Sequence, residues 1–83
     1  MHLSLQTDYG LRVLMLLAST ARQMSVDEIA RSYGISRNHL AKVAQRLQSS
    51  GYVETSRGRG GGLRLAFSAR ELNVGTIVRD LEN

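Results

Sequence analysis

Apolar residues recur at helical spacing in four stretches of this chain and at alternate positions in two short ones. From Thr7 to about Ser19 they fall on two faces, Tyr9, Val13, Leu16 and Leu17 on one and Leu11, Leu14, Met15 and Ala18 on the other. A helix apolar nearly all round needs burial on both sides. It is expected either to run deep through this domain or to meet another subunit or chain. Thr7 is placed to cap it, and Asp8 sets negative charge at the positive end of its dipole. Ser25 and Glu28 then spell a capping box. Val26, Ile29, Ala30 and Tyr33 keep a helix facing inward until Gly34, which can take the left-handed conformation that ends it. Ser36 caps the next helix after a three-residue turn, which makes the two axes cross steeply.

In that next helix Leu40, Val43, Ala44 and Leu47 form one buried stripe, and Gly51 closes it. Arg37, Asn38, Ala41, Lys42 and Gln45 lie off the stripe, with Arg46 on its flank. Tyr52–Ser56 and Leu63–Phe67 alternate as short strands around an Arg57-Gly58-Arg59-Gly60-Gly61-Gly62 loop, whose glycines permit positive φ and a close approach to a sugar-phosphate surface. Val74, Ile77, Val78 and Leu81 predict a last helix capped by Asn73. The order is that of a winged helix-turn-helix, mainly α with a small β-hairpin, as one domain over 1–83.

Charge sharpens this picture. Arg37 to Arg64 holds six cations (Arg37, Lys42, Arg46, Arg57, Arg59, Arg64) against the single anion Glu54, whereas the rest of the chain has five cations and six anions. A net charge of +4 concentrated on one helix and one loop is the footprint of a protein that neutralises phosphates. The candidate DNA-contacting residues are Ser25, Ser36, Arg37, Asn38, His39, Lys42, Arg46, Arg57 and Arg59. Ser36, Arg37 and Asn38 occupy the first turn, the part of a recognition helix that reaches base edges. His39 either packs at the core edge or donates to a phosphate. Neutralising four to five phosphates predicts a slope of about −4 per subunit for log K against log salt.

Other chemistries find little support. The chain has no cysteine and two distant histidines, so no thiolate or histidine metal site is expected from it. Gly58-x-Gly60 lacks the third glycine and the helix that a nucleotide cradle requires. No nucleophile, base and orienting acid can be assembled, so no enzyme is expected. The longest apolar run falls far short of the roughly 20 residues a bilayer span needs, and no signal sequence opens the chain. A cytoplasmic protein without membrane binding is expected.

The opening Leu3-x-Leu5-x-Thr7-Asp8-Tyr9-Gly10-Leu11-Arg12, the corner Ile35-Ser36-Arg37-Asn38-His39-Leu40, Gly51-Tyr52-Val53, the wing Arg57-Gly58-x-Gly60-Gly61-Gly62-Leu63 and the closing Val74-Gly75-x-Ile77-Val78-Arg79-x-Leu81-Glu82 carry a likeness over essentially the whole chain. Together they resemble the NsrR/IscR family of bacterial transcription regulators, and within it the nitric oxide-sensing branch. The resemblance implies a repressor acting as a homodimer on a palindromic operator. Ser36, Arg37, Asn38 and Lys42 would face the major groove, and Arg57, assisted by Arg59, the minor groove.

Sensing members of the family hold an iron-sulfur cluster on three cysteines in a loop after the last helix, followed by a long dimerisation helix. By that likeness the chain is expected to be the DNA-binding portion of a longer protein, with the cluster and that helix supplied beyond it. The surplus apolar face of the first helix would receive the dimerisation helix, and Asp8 would complete the cluster from the partner subunit. The alternatives are a cluster-free regulator of the same family and a winged helix that docks an acidic protein.

Overall fold

A computed structural model describes residues 3–56 and 61–82, with the elements in the expected order: α1 (Leu5–Thr20), α2 (Val26–Tyr33), α3 (Arg37–Ser49), β1 (Val53–Ser56), β2 (Gly62–Leu65), a 3-10 turn (Ala69–Glu71) and α4 (Val74–Glu82). The loop tip, with Arg57 and Arg59, lies outside the described residues.

Helix α1 starts earlier than its sequence suggests. Ser4, not Thr7, is the cap, its hydroxyl accepting from the Thr7 N–H at 3.1 Å. Thr7 is buried within the first turn, and its hydroxyl donates to the Glu82 carboxylate at the far end of the chain. A longer side chain from α4 outcompetes local capping at Thr7 because it can satisfy a buried hydroxyl. Ser4 joins the same carboxylate through its own hydroxyl at 2.7 Å.

Of the two apolar faces of α1, Val13, Leu14 and Leu17 are buried, while Tyr9, Leu11 and Leu16 pack partly buried against the core. Met15 stays 64% exposed. The helix is therefore largely covered by its own domain, through α3, α4 and β2. Gly10 lets α4 come close, since a Cβ there would meet Leu81 Cδ1 at 3.0 Å.

The corner forms as its residues dictate. Ser25 and Glu28 complete the capping box in both directions, at 3.0 and 3.1 Å. Gly34 takes φ 66°, and the Ile35 N–H returns to the Ala30 carbonyl at 3.0 Å. Leu40, Val43, Ala44 and Leu47 are all buried on α3. Beyond it Gly51 takes φ 84°.

The strands are shorter than their alternation suggests and pair antiparallel, Val53 opposite Leu65 and Thr55 opposite Leu63. Phe67 lies past the pairing, with its ring edge-on to Tyr52 at 5.9 Å. An unexpected third segment joins the hairpin: Met24 and Leu63 exchange backbone hydrogen bonds of 2.9 and 2.7 Å. Gly62 is what admits it. A Cβ at Gly62 would overlap the Met24 carbonyl and approach Ser25 N at 2.9 Å. This glycine's close approach is to the protein's own backbone.

Helix α4 buries only Ile77 fully, and Val74, expected in its apolar stripe, is 60% exposed. Val74 lies in the first turn, where Asn73 caps the Thr76 N–H at 3.0 Å and α4 has yet to reach α1. Polar bonds fix its other end. The Glu82 carboxyl is held below the ordinary value by the hydrogen bond from Thr7 and then by that from Ser4.

Two predictions follow from this packing. Gly62→Ala should destabilise the domain by about 1–3 kcal/mol through overpacking, whereas Gly75→Ala on α4, which meets only Asn73 Oδ1 at 3.4 Å, should be neutral or stabilising by up to about 1 kcal/mol. Urea denaturation of both variants checks the contrast. A carboxyl held low in the fold contributes stability that is complete above its ordinary value of 4.5 and is lost as pH falls through the lower folded value. Thermal melting should therefore weaken below that pH, and Glu82→Gln should remove part of the dependence, leaving the share of Glu28, which Arg22 holds low in the same sense.

Candidate nucleic-acid interface

The first turn of α3 is where the tight corner leaves polar side chains uncovered. Ser36, Arg37, Asn38 and Lys42 are all exposed, on the side of the helix opposite its buried stripe. The Ser36 hydroxyl accepts from the His39 N–H at 3.1 Å, which orders the turn without an acidic residue in it. With no carboxylate in that turn, its free N–H groups and positive dipole end remain available to an anion.

Arg37 does not stand alone. Its Nε donates to Asp27 Oδ1 at 2.7 Å across the corner. No acid lies on α3 itself, but one reaches over from α2. The pair joins residues ten positions apart on two different helices, which spacing along the chain does not reveal.

His39 is half-buried, its ring edge-on to Tyr9 at 4.9 Å, the core-edge arrangement of its two readings. Arg46 also turns inward, with Nη2 donating to the Asp80 carbonyl of α4 at 2.9 Å. Asp80 in turn accepts from the buried Tyr52 hydroxyl, whose pKa is pushed up to about 12 by burial and then by that carboxylate. Arg46 thus has a structural task, holding the end of α3 to α4. Ser25 is engaged in its capping box, half-buried beneath β2. On the wing, Arg64 pairs across the strands with Glu54 at 2.8 Å, so the only anion of the basic stretch is already matched.

For a metal or cluster the chain offers little. It has no cysteine, and among the described residues no three His, Asp or Glu side chains come together as a ligand set. Asp8 is half-exposed and accepts from Arg12 Nε at 3.2 Å, one turn along α1. These residues do not by themselves make an iron-sulfur site. Among them no helix is long and apolar enough to cross a membrane.

Comparison with known proteins agrees with this geometry. The sequence family described as "Rrf2: Iron-dependent Transcriptional regulator" matches residues 3–83. The HTH-type transcriptional regulator NsrR of Bacillus subtilis is 48% identical over the whole chain, which spans 58% of that protein. Among solved structures, CymR, the global cysteine regulator of B. subtilis, superposes with a TM-score of 0.91 at 28% identity, over 99% of this chain and 65% of its own. IscR of T. potens gives 0.88 at 32% identity, over all of this chain and 62% of its own. The chain thus spans less than two thirds of the length of these relatives.

Proposed function

Because the chain belongs to the Rrf2 family of iron-dependent transcriptional regulators, we propose that it is a winged-helix module that reads double-stranded DNA in the cytoplasm to regulate transcription. The observation that carries this reading is the uncovered outer face of α3, where Ser36, Arg37 and Asn38 at its start and Lys42 one turn on project from a helix anchored by a buried stripe. Side chains so placed fit the major groove, which is wide enough to admit a helix. Ser36, Arg37 and Asn38 supply base contacts and Lys42 a phosphate contact, with Arg57 and Arg59 of the wing assigned to the adjacent minor groove.

The action is that of a repressor, as a homodimer on a palindromic operator. Two copies of an asymmetric reader then match two half-sites. Dependence on iron, as a cluster sensitive to nitric oxide or to cluster status, needs ligands other than those this chain provides. Asp8 is assigned the one contribution from α1, across the dimer, for which its pair with Arg12 must open.

Gel-shift titration over a range of salt tests the DNA reading. Arg37, Arg46 and Arg64 are engaged within the protein, which reduces the phosphates expected to be neutralised to about three, on Lys42, Arg57 and Arg59. The slope of log K against log salt is then about −3 per chain. Lys42→Ala should weaken all duplexes alike and flatten the slope by about 1, while Arg37→Ala should cost about 1–3 kcal/mol on the preferred sequence and relax the choice of base. An affinity indifferent to salt would refute the reading.

A further inference from the structure

We propose that Asp27 is a positioning residue that fixes the Arg37 guanidinium for a guanine in the major groove, and so sets the choice of base at one position of the bound sequence. The inference rests on the DNA reading above and deepens it.

The contact uses Nε. Arg37 donates that single hydrogen to Asp27 Oδ1 at 2.7 Å, and its two terminal amino groups make no hydrogen bond among the described residues. Those terminal groups are the pair that meets guanine O6 and N7 together, a bidentate match available from no other base pair in the groove. Held at Nε, the fork loses freedom to swing towards a neighbouring phosphate, which it would otherwise satisfy as well as a base. The side chain is 67% exposed and the carboxylate 59%. In water such a pair contributes little to folding, and it strengthens when a ligand excludes solvent from it.

Asp27 has a nearer partner that it does not use. Arg31 stands one turn along α2, the spacing at which helical ion pairs form, yet its Nε reaches only the Asp27 carbonyl, at 3.5 Å. The carboxylate crosses the corner to Arg37 instead. An anion on a face that approaches phosphates also lowers affinity for all DNA, a cost that a gain in discrimination offsets.

Selection from a random duplex pool, followed by titration on the selected sequence and its single-base variants, tests the assignment with the wild type, Arg37→Ala, Asp27→Ala and the near-isosteric Asp27→Asn. The wild type is expected to select a guanine that Arg37→Ala loses. Both Asp27 variants should lower that preference about tenfold while binding random duplex as well as the wild type or better. In the Arg37→Ala background, removing Asp27 should change base choice no further.

If both Asp27 variants keep the guanine preference and merely bind every duplex more tightly, Asp27 is a helix-start anion and the proposal fails while the DNA reading stands. A wild type that selects a sequence without an Arg37-dependent guanine also overturns it. A wild type that binds no duplex overturns the proposal and the DNA reading together.

Discussion

The backbone exchange between Met24 and Leu63 is the constraint from which the rest of the architecture follows. A two-stranded hairpin is marginal by itself and leaves an edge of unpaired N–H and C=O groups. Here the residue before the cap of α2 occupies that edge, so one pair of hydrogen bonds both satisfies β2 and fixes where α2 begins. Ser25 follows Met24 directly, and its capping box starts the helix at once. Because Gly34 and Ser36 then set α3 by a turn of minimal length, the hairpin and α3 share a common anchor. The Ser56 hydroxyl at the end of β1, donating to Gln23 Oε1 at 2.8 Å, ties the other strand to the residue before Met24.

Charge is distributed with more compensation than a count along the chain suggests. Glu54 matches Arg64 across the strands and Asp27 matches Arg37 across the corner. A surface covered in unmatched cations binds any polyanion, whereas matched ones keep their geometry and lose part of their long-range pull. Lys42 remains as an exposed cation on the outer face of α3. That face thus pairs one exposed lysine with one guanidinium held by a carboxylate from the neighbouring helix.

The helices and the first turn of α3 were legible because the forces that set them are local. Capping at Ser25 and Ser36, the stop at Gly34 and the stripe from Leu40 to Leu47 each need only neighbours within a turn or two. What escaped the sequence acts at long separation. Thr7 looks like a cap until Glu82, 75 residues away, is brought to it. Gly62 looks like part of a loose loop until Met24 lies against it. Arg46 shares the helix flank of a phosphate contact, and only the placement of α4 gives its guanidinium another partner. Asp27 is the most instructive, since helical spacing pairs it with Arg31 and the corner pairs it with Arg37.

Helix α4 shows how such distant contacts divide the work of holding a small domain together. It buries one apolar residue fully, Ile77, with Val78 and Leu81 partly covered, which is little for nine residues whose ordering costs conformational entropy at each position. Polar groups supply the remainder at two places. Glu82 sits over the start of α1, where the positive dipole end and two hydroxyls favour its ionised form. Asp80 gathers the Tyr52 hydroxyl through its carboxylate and Arg46 through its carbonyl. The second attachment lies at the end of α3 remote from Arg37, so a displacement of α4 would act on α3 through its last turn while the buried stripe and the corner hold its first. Directional bonds of this kind are lost over a small displacement, whereas apolar packing yields gradually. The docking of α4 therefore rests on these few directional bonds more than on apolar burial.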